Sequence, residues 1–461
     1  MAGRDEQEFN AEELFFSTTD HRGVILSGNR VFARVSGYPP GELIGRPHSL
    51  VRHPSMPRVV FATLWETVQA GGSIAAYVRN RTRDGASYDV VATVFPVPGG
   101  YLSIRFKPST PLAGTVWSLY EELRAAELAV EDAGGRKRDG IEASRARLDE
   151  ALHGLGLDGY GAFKRMMLPT EVAARQRIIV AEGLADAAPD AVCGARAGLY
   201  ESLWCLRSWL RDLLLRLDAF GALAARLSER SDQVGDMAGR VSLLALNGLI
   251  AAQHHGSSGS VLGVVAGLLR DRARMTAGAG AGVRTAIAAA RDRLGVLAYD
   301  IAVACLQADM AVTTLIEMAA REDAVEAGRR WVGTDVQALA GCLNTAVGSL
   351  LAALDQVDSG IHALSRQVDD LRLTLGPLEA LQTQGRVEAA REDGVGDFAL
   401  VFAQVAETTG LGTESVADLE RVVREVDVRG DVGALERARA GADRVLDEAR
   451  ALQEPAVRIA A

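Results

Sequence analysis

Few places in this chain hold side chains whose type and spacing could do chemistry by themselves. His254 and His255 stand side by side in "LIAAQHHGSSGS". On a helix, adjacent side chains point about 100° apart, so the pair cannot easily share one metal ion and reads as polar turn residues. Gly278, Gly280 and Gly282 in "TAGAGAGVRTAI" imitate a phosphate loop, but no strand precedes them and no Lys-Ser/Thr follows. Close helix approach or a hinge suits them better. The four cysteines, at 193, 205, 305 and 342, lie far apart without metal-ligand spacing and read as free thiols of a reducing compartment. No metal site is expected. Nor do a phosphoacceptor with an ATP site, a cyclase signature, paired acids or a nucleophile constellation occur, so the expectation is a protein that is not an enzyme.

If chemistry is sparse, architecture must carry the function. A chain of 461 residues has room for two to four domains. Its 48% apolar but only 5% aromatic content suits long helices packed at close range. The net charge of −10 and the lack of a long basic run argue against nucleic acid; Arg136-Lys137-Arg138 reads as a solvated helix end. "MAGRDEQEFNAEE" has no apolar signal region. The longest run without Asp, Glu, Lys or Arg, Val241–Leu269, is split by the polar patch Gln253–Ser260, and the next, Val336–Leu354, is interrupted by Gln337, Asn344, Thr345 and Ser349. The expectation is therefore a soluble, cytoplasmic chain without a membrane span.

Residues 11–108 differ from the rest. "FFSTTDHRGVILSGN" reads as a hairpin turning at Asp20–Gly23, short helical pieces follow, and "AAYVRNRTRDGASYDVVATVFPV" and "GGYLSIRFKP" supply three more strands around an Asp84-Gly85 turn. That order predicts an antiparallel sheet with helices on one face. Beyond Pro111 the chain reads as helix to about Gln453, with breaks at Gly134-Gly135, Gly154–Gly161, Ala188-Pro189 and Gly333-Thr334. Val336, Ala340, Leu343, Val347, Leu350, Leu354, Val357, Ile361, Leu364, Val368, Leu371, Leu375 and Leu378 are spaced 4, 3, 4, 3 without a slip. An unbroken seven-residue repeat keeps its apolar seam on partner helices only through left-handed supercoiling. Four arms, about 197–254, 259–320, 335–391 and 397–452, then predict an all-α, long antiparallel coiled-coil four-helix bundle behind the α+β domain, each arm spanning about 85 Å at about 1.5 Å per residue.

The N-terminal stretch resembles a PAS domain in Asn29, Phe32, Ser36-Gly37-Tyr38, Glu42-Leu43 and Gly45. The resemblance is closer to the sensor domain of bacterial aerotaxis receptors, carried by "GRPHSLVRHPSMP" and Val78-Arg79-Asn80-Arg81. It implies an FAD site with Arg52, His53 and Asn80 among the cofactor residues. A guanidinium and an imidazole can neutralise a diphosphate, and an amide can read a flavin edge. Ser55, Ile74 and Asp89 stand where the family has an aspartate and two tryptophans. An empty pocket, or a haem on His53, remain alternatives to FAD.

The helical part resembles the signalling tip of methyl-accepting chemotaxis receptors, and does so twice. Leu243–Arg270 keeps "LLALN" with Asn247, and Val264-Val265-Ala266, but Ala251, His254, Ser257 and Leu262 replace the family's charged and aromatic tip residues. Leu378–Glu407 keeps Glu388, Arg391 and Phe398 in "RVEAAREDGVGDFALV". Asn247-Gly248 aligns with Gln384-Gly385, Ile250 with Val387 and Ala252 with Ala389, a repeat of about 137 residues. Two tandem receptor-like hairpins would close within one chain the bundle that two receptor chains normally build, a pseudo-dimer open to further oligomerisation. The resemblance implies docking of a chemotaxis histidine kinase and its coupling protein at Asn247, Glu388, Arg391 and Phe398. The expected divisions are a tail (1–10), a PAS sensor (11–110), a helical connector (111–195) and hairpins at 196–322 and 335–453. The whole would be a cytoplasmic sensor relaying redox, oxygen or energy state; the alternative is a cofactor-free scaffold whose degenerate bundle no longer docks the kinase.

Overall fold

The computed structural model describes residues 6–183, 197–254, 260–319, 329–391, 396–425, 439–441, 443–444 and 447. The chain divides into two compact units, Met1–Leu215 with Ala298–Leu351 and Asp431–Ala461, and Arg216–Leu297 with Ala352–Gly430. The division runs through the long helices between 215 and 216, 297 and 298, and 351 and 352, and falls again between 430 and 431.

The first unit is built on a sheet. Strands β1 (Phe15–Asp20) and β2 (Ile25–Gly28) form the expected hairpin. Its turn is closed by the Asp20 carboxylate, which accepts from the N–H groups of Arg22 at 2.8 Å and Val24 at 2.9 Å. Helix α1 (Arg30–Ser36) is capped by Asn29, whose Oδ1 also accepts from Phe16 N–H at 3.0 Å and so ties helix to sheet. After the single-turn α2 (Pro40–Leu43) and a 3₁₀ turn at His48–Val51 comes α3 (Arg58–Gln69), with Val59, Val60, Leu64 and Val68 buried at helical spacing. Strands β3 (Ile74–Arg81), β4 (Ser87–Val97) and β5 (Gly100–Phe106) complete an antiparallel sheet in the order β2-β1-β5-β4-β3. Gly85, at φ +99°, makes the β3–β4 turn in a conformation that glycine takes freely.

Helices follow: α4 (Leu112–Asp132), α5 (Lys137–Gly154), α6 (Gly159–Ala181), α7 (Ala197–His254), α8 (Ser260–Ala319), α9 (Arg329–Arg391) and α10 (Gly396–Glu425). Within the first unit, three buried carboxylates fasten helices to the sheet domain. Glu127 of α4 accepts from Val59 N–H at the start of α3 (3.1 Å), from Arg124 (2.9 Å) and from Ser144 Oγ (3.2 Å). Glu171 of α6 accepts from Tyr77 Oη on β3 (2.6 Å), Ser109 N–H (2.6 Å) and Thr110 Oγ1 (2.5 Å). Asp309 of α8 accepts from Arg175 Nη1 (2.6 Å), Gln176 Nε2 (2.9 Å) and Arg207 Nε (2.6 Å). Arg175 donates onward to the carbonyls of Ala11 and Glu12, just before β1. Burial works against the Asp309 charge, but Arg175 and Arg207 hold its carboxyl below the usual range.

In α9 the helix starts ahead of Gly333-Thr334, where a break was expected, and runs through Pro377. An interior glycine costs only about 1 kcal/mol, which a long packed helix absorbs. Of the seam residues whose side chains are described, all are buried except Ile361, which is partly so. In the second unit a single apolar cluster joins Val234 and Val241 of α7, Leu262 and Leu269 of α8, Leu371 and Leu378 of α9, and Phe402 and Val416 of α10, with their neighbours. Aligned positions of the two copies share their surroundings. Ala252 and Ala389 are 9% and 7% exposed, and Ile250 and Val387 48% and 45%. Both aligned glycines are close-approach sites: a Cβ on Gly248 would stand 3.3 Å from that of Ala266 and 3.8 Å from Val401, and one on Gly385 would stand 2.2 Å from the Phe402 ring.

Three segments, Ala225–His254, Val261–Glu317 and Ala338–Arg391, are long and apolar enough to cross a membrane by length and composition, so the expectation of a chain without spans does not follow from hydropathy. The Ala188-Pro189 break, the turn residues His255, Gly256, Ser257, Gly259 and Gly394, and most of the last arm beyond Glu425 lie outside the described residues.

Candidate functional site

Strand alternation sorts β3 into two faces. Tyr77 and Arg79 turn toward the helices: Tyr77 meets Glu171, and Arg79 pairs with Asp89 through two bonds of 2.8 and 2.9 Å and lies 4.7 Å from the Trp117 ring. Val78 and Asn80 turn the other way, into a cavity of about 400 Å³. Ala92 and Val94 of β4 and Tyr101, Ser103 and Arg105 of β5 join them at the same spacing, and α3 closes the space with Phe61, Leu64 and Trp65.

Of the three expected cofactor residues, the fold brings two to this cavity. Arg52 and Asn80 line it, and their backbones meet in an isolated bridge. His53 is outside the lining; its backbone N–H donates to the Arg79 carbonyl, and its Nδ1 lies 2.6 Å from Ser55 Oγ, on the serine that replaces the family's aspartate. A haem ligand at His53 is thus not positioned on the cavity. Ile74, in place of a tryptophan, is fully buried beside Leu64, Val68 and Tyr101, while the rings facing the cavity are Phe61, Trp65 and Tyr101.

The sequence reading missed His48 and Arg105. Arg105, 3% exposed, donates through Nη2 to Ser17 Oγ and to His48 Nε2, the latter at 2.6 Å. A guanidinium only donates, so His48 accepts at Nε2 and holds its proton on Nδ1. Burial, with the Arg105 and Arg52 charges beside it, pushes the imidazole well below its usual value, which keeps it neutral at pH 7. The His48 ring stacks on Phe32 at 5.7 Å. Burial lowers the Arg105 guanidinium to about 10 and also lowers Arg52, whose head lies 3.5 Å from the Phe61 ring centre. The sequence signal was Arg105 itself, a charge at an inward position of a strand with no other charged residue.

Two donors here have no partner among the described residues: Arg52 Nε and Arg105 Nη1 are buried and unbonded. Among the described residues, no Asp or Glu lines the cavity. Ligand cavities commonly measure about 300–1,000 Å³ with a few placed polar groups among aromatic walls. The donor set therefore fits a flat, acceptor-rich ring that can carry negative charge.

Of the expected docking residues, Asn247 is exposed, and Arg391 is exposed and bonded to Glu388 at 3.1 Å. Phe398 is fully buried and packs the cluster of the second unit, so it shapes the tip from inside rather than presenting a contact.

Comparison with known proteins agrees with the sheet domain. The PAS fold family matches residues 25–100. The aerotaxis receptor of Escherichia coli strain K12 is 40% identical over 119 residues, which is 25% of this chain and 24% of that receptor. The chain thus matches about a quarter of that relative's length. Among solved structures, the PAS domain of a protein from Colwellia psychrerythraea is 21% identical with a TM-score of 0.20, covering 20% of this chain and 85% of that one. A light-oxygen-voltage domain studied with a flavin analogue is 17% identical with a TM-score of 0.21, covering 24% and 86%. Residues 25–100 form a PAS domain, and its sequence is similar to that of an aerotaxis receptor.

Proposed function

We propose that the chain is a PAS-based signal transducer whose cavity holds a flavin, in the form of FAD, and whose helices relay its state. The observation that carries this reading is the pair of buried, partnerless guanidinium donors in an acid-free cavity with aromatic walls. A flavin, when bound, supplies a ring whose charge and hydrogen-bonding capacity change with its redox state. Arg105 and Arg52 would donate to it, Asn80 would read its edge, and neutral His48 would orient Arg105. Two routes lead from these residues to the helices. One is α3, which carries Phe61 and Trp65 and is held at its start by Glu127. The other is β3, where Val78 and Asn80 alternate with Tyr77, the residue held by Glu171.

The apolar cluster drawn from α7, α8, α9 and α10 supports a four-helix coiled-coil bundle made by one chain, with two tandem hairpins in place of two receptor molecules. Its small residues suit two packings of similar energy, the bistable element that relay requires. We place the protein in the cytoplasm, with the apolar faces of its arms covered by one another and not by lipid, and with a chemotaxis kinase and coupling protein as partners through Glu388 and Arg391. We also infer no enzymatic activity. A degenerate scaffold is the second reading, favoured by the uncharged first crest at Ala251 and Ala252.

The test is the absorption of purified full-length protein, reconstituted with FAD where needed. A flavin spectrum that Arg105→Met abolishes is expected; a protein that stays colourless with excess FAD overturns the sensing reading. Recovery in the soluble fraction without detergent tests the location. Capture of the kinase and coupling protein, lost in Glu388→Ala, tests docking.

A further inference from the structure

We propose that a second cleft of the first unit binds a small organic cation, a primary ammonium or amidinium carried on an apolar body. The cleft measures about 760 Å³ and is bounded by the end of β4 and its turn into β5, Phe95–Pro98, together with one face of α8 and one of α9. Asp300, Val303 and Gln307 recur at intervals of three and four, which places them on one stripe of α8. Gly341, Cys342, Thr345, Ala346 and Ser349 form the facing stripe of α9, and their short side chains leave the space open.

What the cleft offers is acceptors. Gln307 is 2% exposed, and its amide oxygen is buried without a partner. A buried acceptor is costly to leave unpaired, so a guest with an N–H donor gains a bond the protein alone does not make. Asp300 adds a half-buried carboxylate, which burial pushes up to about 6 against the pull of Lys164. Lys164 is not in the lining; its ammonium donates to the Ser73 carbonyl at 2.5 Å and sits 5.0 Å from the Tyr299 ring. Among the described residues, no Lys or Arg lines the cleft. The remaining titratable wall group, the Cys342 thiol, is pushed up to about 11 by burial and is neutral.

Those features select the guest by elimination. An anion would face the Asp300 carboxylate with no cation among the described lining residues to meet it. A hydrocarbon would leave Gln307 unpaired. A cationic head bonded by Asp300 and Gln307, with its body against Val303, Phe95 and Ala346, satisfies both acceptors and removes apolar surface from water. Since the walls are the end of the sheet and two long helices, occupancy would brace sheet against helices at a point remote from the cavity under α3.

The experiment uses the full chain with benzylammonium and benzamidinium as probes, and benzoate and benzyl alcohol as controls. Calorimetry should show saturable binding of the cations only. Benzylammonium should slow alkylation of Cys342 by about tenfold while leaving exposed Cys205 unchanged, both followed by peptide mass spectrometry. Asp300→Asn should weaken binding by about tenfold or more, the usual scale for losing a partly buried charge partner. Ser349→Trp, at an exposed rim position, should block the cleft without disturbing the fold. Failure of both cations to bind the wild type overturns the proposal. So does equal binding by Ser349→Trp, or protection of Cys342 by benzoate. If Asp300→Asn does not fold, the rim variant and wild-type protection decide alone.

Discussion

The two compact units are held together by different chemistry. The first buries charge: Glu127, Glu171, Arg175, Asp309 and Arg105 are all nearly or fully inaccessible. In the second, the buried polar side chains among the described residues are four hydroxyls, Ser231, Thr276, Thr409 and Ser415. Three of these donate to carbonyls of their own helix, those of Arg272, Val405 and Leu411. A buried ionic network has one good geometry, because each member is costly without its partners. A seam of Leu, Val and Ala has shallower alternatives, because burial and dispersion are not directional. The first unit is thus fixed by groups that tolerate no slip, and the second by groups that do.

The largest expected break in that contrast is Asp309→Ala. It leaves the guanidiniums of Arg175 and Arg207 buried without their carboxylate, which costs about 3–5 kcal/mol. Hydrogen exchange, which resolves local from global opening, should show lost protection in α6, in α8 around Cys305 and in β1, because Arg175 also holds Ala11 and Glu12. Loss confined to α8 would mean that the network does not reach the sheet. Next comes the second unit. Leu371 is fully buried in the seam, and Leu371→Ala should cost about 3 kcal/mol, within the range for deleting a core leucine. Leu371→Met should cost under about 1.5 kcal/mol because volume is kept. A methionine as damaging as the alanine would show that the seam requires one shape, and the contrast would fail. Urea unfolding with a probe in each unit measures both, since one transition cannot be assumed for two units.

How far the sequence alone could foresee this arrangement follows from the same difference. The seam was legible because one chemical rule repeats at fixed spacing, and the residues from Ala340 to Leu378 that obey it are buried, Ile361 partly so. The sheet was legible from its alternation and turn residues, down to the Asp20 and Gly85 turns. The carboxylate clamps were not. Glu127 and Glu171 sit on amphipathic helices, where an acid ordinarily marks the solvent face, and only tertiary packing sets Val59 and Tyr77 against them. At the cavity, resemblance located Arg52 and Asn80 but also His53, whose side chain turns to Ser55. Arg105 escaped because it lies outside the short motif that drew attention, and His48, though inside "GRPHSLVRHPSMP", escaped because nothing local to that motif shows the strand arginine it meets. Their partnership spans strands and a turn far apart in sequence.

Two smaller effects sharpen the account of the first unit. Tyr77→Phe removes one of three donors to the Glu171 carboxylate and leaves Ser109 N–H and Thr110 in place. A hydrogen bond to a charged group is worth about 1.5 kcal/mol or somewhat more, and exchange protection along β3 should fall accordingly. Asp300→Asn tests pH. In the folded chain the Asp300 carboxyl rises from 3.8 to about 6, so the native state holds that proton more tightly. The associated stability is fully present below the unfolded value and is lost as pH climbs through about 4 to 6. The variant has no such loss, and should gain about 1 kcal/mol on the wild type at about pH 8, a figure reduced for the site's partial exposure. A gain of equal size at about pH 4 would show that the substitution acts through packing and not through charge.

The smallest effect is the sharpest control, because it repeats the first substitution in the other unit. Asp418 of α10 bonds Arg230 of α7 at 2.8 Å and also pairs with Arg421, and that hydrogen bond with Arg421 does most to hold its carboxyl below the usual range. By geometry it looks like Asp309: one carboxylate between two guanidiniums. The difference is water. Arg230 and Arg421 are 42% and 57% exposed, against 2% and 14% for Arg175 and Arg207. Solvent takes up the hydrogen bonds that Asp418→Ala removes, and its cost should stay below about 1 kcal/mol. About 1 M salt should erase what remains of it, since exposed pairs are screened at that ionic strength, while the cost of Asp309→Ala should persist. Equal costs for the two alanines would mean that charge fixes the second unit as firmly as the first, and the contrast between them would fail.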